Sequence, residues 1–174
     1  MFSMATLGLL KAQDQKSDSV EINKNRGYIV NIGDKPGNIQ FNLTDGNTLH
    51  LHDLRDKIVV LQFTASWCSV CRKEMPHLEK EVWQRFKNEG FILIGIDFDE
   101  PLEKVLAFKK QMKTTYPMAL DPDALIFQEF AHKRAGVTRN VVIDKNGKIA
   151  YLTRLYDRNE FEGMVGKIEE LMGE

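Results

Sequence analysis

The chain has only two cysteines in 174 residues. Structural zinc usually takes four ligands, and no second cysteine pair exists to complete a set. The four histidines, His50, His52, His77 and His132, complete no recognisable spacing either. Neither sign of charge prevails: 24 basic and 25 acidic residues leave a formal charge of −1. Nothing in that balance draws in nucleic acid or an anionic membrane surface. No apolar run approaches the roughly 20 residues needed to span a bilayer. Internal repeats and low-complexity linkers are also missing. What is present, 43% hydrophobic and 28% charged residues, is the composition of one globular domain with a sizeable core.

The start of the chain stands apart. Met1 to Leu10 is mostly apolar, Lys11-Ala12-Gln13 follows, and Asp14 to Asp18 is polar. This pattern reads as the tail of a truncated export signal without its basic leading region, or as a frayed terminus. Residues 1–18 are therefore set outside the fold, and residues 19–174 form the domain.

Within the domain, strand-like and helix-like stretches alternate. Ile39–Leu43 alternates apolar and polar residues, Asp45-Gly46 offers a turn, and Thr48–Leu51 continues as a hairpin partner. Lys57–Phe63 and Phe91–Asp97 are near-continuous apolar runs, the profile of strands covered on both faces. Between them a helix is predicted over Ser69–Asn88, with Val70, Leu78, Val82 and Phe86 on one face and a kink at Pro76. Helices are also predicted from Pro101 to Lys113, from Ala124 to Lys133 and from Asn159 to Met172, with a short strand at Met118–Leu120. Val141–Ile143 and Ile149–Leu152 flank an Asn146-Gly147 turn, a strong hairpin signal. Strands alternating with helices imply an α/β sandwich with a central mixed β-sheet flanked by helices.

Both cysteines fall in one stretch, Phe63-Thr64-Ala65-Ser66-Trp67-Cys68-Ser69-Val70-Cys71. A purely structural disulfide here closes too small a loop to remove much unfolded-state entropy. A structural zinc site lacks ligands; a metal-binding or carrier module, in which the two thiolates take a soft ion, and a pair of inert buried thiols both stay open as alternatives. Dithiol redox chemistry fits the position best. The pair lies where a buried strand ends and a helix begins, so Cys68 meets unsatisfied backbone N–H groups and the positive end of the helix dipole. Such sites lower a cysteine pKa from ~8.5 into the range ~3.5 to 7.5. Cys71, one turn on, is near enough to pair and more shielded, which suits a resolving sulfur. Trp67 supplies a flat apolar wall beside the pair.

The run Val60 to Pro76 resembles the active-site segment of thioredoxin-like proteins, and in particular the TlpA/ResA type of thiol-disulfide oxidoreductase. The Cys-x-x-Cys-x-x-Glu-x-Pro spacing, the stretch Asp45 to Lys57 before it and the Gly147 hairpin after Ile143-Asp144 all carry the likeness, which covers residues 36–172. The resemblance implies a thioredoxin-like fold with an N-terminal β-hairpin extension and an inserted helix. It implies that Cys68 is the nucleophile, Cys71 the resolving thiol and Glu74 a glutamate that handles protons. It also implies no cofactor beyond the Cys68–Cys71 disulfide, protein thiols and disulfides as substrates, an external dithiol electron donor, and a periplasmic or otherwise exported location, with a cytoplasmic one as the alternative. Ordinary thioredoxins keep a titrating aspartate on the strand where this chain has Gln62, so Glu74 is the better proton carrier. The family also places a cis-proline beside the disulfide where this chain has Thr138. A cis bond before threonine costs ~3 to 4 kcal/mol, so a trans bond is expected. The Thr138 loop should still face the cysteines and form, with Trp67, the edge on which substrate docks. A threonine there invites comparison with peroxiredoxins, but their Pro-x-x-x-Thr-x-x-Cys pattern meets Leu61 and Ala65 here.

Overall fold

Strand β3 (Ile58–Thr64) is the centre of the molecule, and every residue in it is buried. Its side chains alternate between two cores, as a pleated strand requires. Val59, Leu61 and Phe63 enter one cluster with Ile94, Ile96, Phe127 and Phe130. Ile58 and Val60 enter the other with Leu78, Val82, Phe86, Phe108, Phe161 and Ile168. Each of these large side chains is worth ~1.5 to 3 kcal/mol on full burial, so β3 is fixed from both sides. This computed structural model describes residues 25–173 except Glu89. The export-signal expectation for residues 1–18 lies outside the described residues.

The remaining strands are β1 (Gln40–Leu43), β2 (Thr48–His50), β4 (Phe91–Phe98), β5 (Met118–Asp121), β6 (Arg139–Ile143) and β7 (Ile149–Leu152). They form one seven-stranded mixed sheet in the order β2-β1-β5-β4-β3-β6-β7. The pairs β3–β4 and β4–β5 are parallel, and the others are antiparallel. The N-terminal hairpin β1–β2 turns at Asp45-Gly46 and joins the sheet at β5. The closing hairpin turns at Gly147, whose φ of 76° suits the left-handed region.

Helix α1 (Ser69–His77) follows β3. Proline lacks the N–H that would bond one turn back, and its ring crowds the carbonyl there. Beyond Pro76 the helix widens into a π-helical turn, Leu78–Trp83, before a last short turn α2 (Gln84–Phe86). The expected kink is therefore a change of helix type. Leu78, Val82 and Phe86 share one buried face as expected, but Val70 does not join them. It sits in the first turn, ahead of the widening, and packs on the opposite core beside Cys68 and Cys71. Helix α3 (Leu102–Met112) ends at Lys113, which adopts a left-handed cap. The helix expected from Ala124 to Lys133 is much shorter, α4 (Leu125–Gln128). Asp123 and Ala124 both have positive φ and delay its start. The Asp121 carboxylate accepts from the N–H groups of Ile126 and Phe127 at 2.7 and 2.8 Å. Ala131 is drawn away into a bridge with Tyr28. Helix α5 (Arg158–Met172) is capped by Asp157, which accepts from Glu160 N–H at 3.0 Å.

Candidate active site

The buried run of β3 stops at Thr64, and the chain turns through Ala65, Ser66 and Trp67. Cys68 N–H closes that turn on Ala65 O at 3.1 Å. Cys68 is then the N-cap of α1, with extended backbone angles, and its sulfur accepts from Cys71 N–H at 3.1 Å. The first turn of α1 holds no acidic residue to offset the positive end of the helix. Cys68 and Cys71 form a disulfide with a Cα–Cα distance of 5.3 Å. Their exposures, 8% and 0%, rank as expected, but Cys68 is more enclosed than an open attacking sulfur would be. Trp67, by contrast, is 60% exposed and meets Phe98 edge-on.

Thr138 closes the site from the far side. Its Oγ1 lies 3.0 Å from Cys68 Sγ and 3.0 Å from Cys71 Sγ. No cis peptide bond occurs among the described residues, and Thr138 has a left-handed φ of 67°.

Glu74 lies one turn beyond Cys71 on α1 and is almost fully buried. Its Oε1 accepts from Asn140 Nδ2 at 2.7 Å. Asn140 Nδ2 also reaches Thr153 Oγ1 at 2.9 Å. Burial pushes the Glu74 carboxyl up to about 7, against the opposing pull of the Asn140 amide. A carboxyl at that value holds and releases protons near neutrality. Gln62, opposite Asn140 across β3 and β6, accepts from Tyr116 Oη at 2.8 Å.

The turn before the pair is anchored by residues that the sequence does not single out. Glu100 accepts from Ser66 N–H and from Ser66 Oγ at 2.7 Å, and it pairs with Lys104. Asp97, at the end of β4, is fully buried beside it, and burial with the Glu100 charge pushes its carboxyl up to about 8. Arg139, next to Thr138, is also fully buried, and burial lowers it to about 10, so it stays charged at neutral pH. Its guanidinium lies 4.5 Å over the Tyr28 ring. The one signal of these groups in the sequence is a polar residue at the edge of an apolar strand, at Asp97, Arg139 and Asn140.

The arrangement is a disulfide with one sulfur at a helix N-terminus, an enclosed partner sulfur, and a buried carboxyl one turn further along the helix. Residues 32–152 match the AhpC/TSA family. The chain belongs to the AhpC/TSA family. Among its relatives, the thiol-disulfide oxidoreductase ResA of Bacillus cereus is 30% identical over 140 residues, covering 80% of this chain and 79% of that one. Among solved structures, a candidate protein disulfide isomerase from Bacteroides thetaiotaomicron is 56% identical with a TM-score of 0.83, covering 85% of this chain and 94% of that one. A candidate thiol:disulfide interchange protein DsbE from Chlorobium tepidum shares the fold, with a TM-score of 0.72 at 23% identity over 83% of this chain and 99% of that one. This AhpC/TSA-family protein has the thioredoxin-like fold and is a thiol-disulfide oxidoreductase. Peroxidase chemistry is not favoured: Leu61 and Ala65 are fully buried apolar residues where the peroxiredoxin pattern has proline and threonine. Among the described residues no helix is long and apolar enough to cross a membrane.

Proposed function

We propose that the protein reduces or isomerises disulfides of exported proteins, with Cys68 as nucleophile, Cys71 as resolving thiol and Glu74 as proton acceptor. The observation that carries this is the asymmetry of the pair: Cys68 Sγ caps the helix and Cys71 Sγ is sealed behind it. In the reduced protein the Cys68 thiolate attacks a substrate disulfide. A Cys68–substrate disulfide forms, and the second substrate sulfur leaves as a thiolate that takes a proton from water. Cys71 then gives its proton to the Glu74 carboxylate and attacks Cys68 sulfur. The Cys68–Cys71 disulfide forms and the remaining substrate sulfur leaves. The substrate gains two electrons and the enzyme loses two; an external dithiol returns them. Trp67 and the Thr138 loop form the rim on which substrate rests. The exported location rests on the apolar-then-polar pattern of residues 1–18.

The test is dithiol-dependent reduction of a model disulfide protein by the wild type and by Cys68→Ser. The wild type should turn over and Cys68→Ser should fall to the rate of dithiol alone. Equal rates would eliminate the proposal.

A further inference from the structure

We propose that Thr138 is itself a catalytic residue: its hydroxyl donates a hydrogen bond that holds the Cys68 thiolate once the pair is reduced. This rests on the assignment of Cys68 as nucleophile. The sulfurs of a disulfide carry no proton, so the two contacts of Thr138 Oγ1, both at 3.0 Å, have the hydroxyl as donor. One proton faces two equidistant acceptors. On reduction it follows the negative charge, because a hydrogen bond to an ion is stronger than one to a neutral group. Cys68 Sγ already accepts from Cys71 N–H at 3.1 Å. With Thr138 it has two donors, while among the described residues Cys71 Sγ has the hydroxyl alone. The charge therefore settles on Cys68.

The fold holds Thr138 in place against its own preference. A β-branched residue at φ 67° is strained. Thr138 N–H donates to Phe63 O at 3.0 Å and Thr138 O accepts from Leu155 N–H at 2.8 Å. The three carbonyls before it are all taken by arginine. Arg139 donates to Ala135 O and Gly136 O, and Arg154 donates to Ala135 O and Val137 O, each at 3.0 Å. Arg139 and Arg154 are thus positioning residues for the hydroxyl. The charged groups around the pair are Glu74 and Arg72 on α1, with Arg72 donating to Ser66 O at 2.9 Å, Asp97 at the end of β4, Glu100 with Lys104 at the Ser66 turn, Arg139 beside Thr138, and Arg154 after β7. Substitution of Thr138 alters none of them.

The measurement is the titration of Cys68 in the fully reduced, full-length protein, followed by thiolate absorbance and by alkylation rate. Thr138→Val keeps the shape and removes the donor; it should raise the Cys68 pKa by about one unit or more and slow alkylation at acid pH about tenfold. Thr138→Ala, which removes the branch as well, should do the same and serves if the valine variant does not fold. Thr138→Ser should titrate like the wild type. An unchanged pKa in the donor-free variants, or an equal rise in Thr138→Ser, would overturn the proposal. Arg154→Met should raise the pKa in the wild type and have no further effect beside Thr138→Val; additive effects would remove Arg154 from the positioning role. The titration reads the sulfur and not turnover. A failure of Cys68 to act as nucleophile would appear in the reduction assay and leave the titration readable.

Discussion

At the scale of single residues, the proposed chemistry depends on two groups, Cys68 and Glu74, whose surroundings contradict their usual state. Cys68 is legible in the sequence because its spacing to Cys71 and its place after an apolar run are both local features. Glu74 is legible only through its spacing to the pair; whether a helix position faces solvent or core depends on what packs over it. Here Asn140, 66 residues away, meets it from β6. With the Glu74 carboxyl raised to about 7 by burial, the step in which Cys71 resolves the mixed disulfide should accelerate as pH rises through that value. Glu74→Gln should slow the step on the order of a hundredfold and move its rise toward the ~8.5 of a free thiol. Stopped-flow decay of a preformed mixed disulfide reads both, and an unchanged profile would remove Glu74 from proton transfer.

At the scale of elements, strands β3 and β4 and the two hairpins are readable because each is decided by its own sequence. The helix beginning near Ala124 is shorter than its sequence suggests because its limits are set by partners elsewhere, Asp121 at one end and Tyr28 at the other. The N-terminal arm is illegible for the same reason. Residues 25–28 cover the Thr138 loop: Arg26 O accepts from Arg139 Nη2 at 2.7 Å, and Tyr28 Oη donates to Thr153 O at 2.5 Å. Gly27, at φ 83°, packs so closely that an added Cβ would land on Ala135 Cβ and 2.7 Å from Arg139 Nη2. Gly27→Ala should therefore cost ~1 to 3 kcal/mol of stability, measured by denaturant unfolding. A loss within a few tenths of zero would show that the arm does not brace this loop.

At the scale of the whole molecule, the mixed sheet and its two cores follow from the alternation of apolar runs and helical patterns. The buried ionisable groups do not, because their neighbours come from different strands. Asp97 and Glu74 are both held above their unfolded values, to about 8 and about 7. The folded protein thus binds more protons than the unfolded chain, and stability from these groups is full at acid pH and declines as pH rises through their folded values. Glu81 acts oppositely. Hydrogen bonds from Arg158 and His77 lower its carboxyl to about 2, so its contribution fades only under stronger acid. Unfolding of the oxidised protein should therefore show falling stability from about pH 5 to pH 8, with the alkaline part of the fall removed in Asp97→Asn. A wild-type curve that rises over that interval would contradict the carboxyl assignments.

The most direct test of the account concerns the order in which the two sulfurs act. A disulfide-containing protein substrate is mixed with reduced Cys71→Ser and reduced Cys68→Ser, and covalent adducts are read by mass spectrometry. Cys71→Ser should accumulate a stable Cys68–substrate disulfide, and Cys68→Ser should form none above background. Adducts on Cys71 in place of Cys68 would contradict the account at its base.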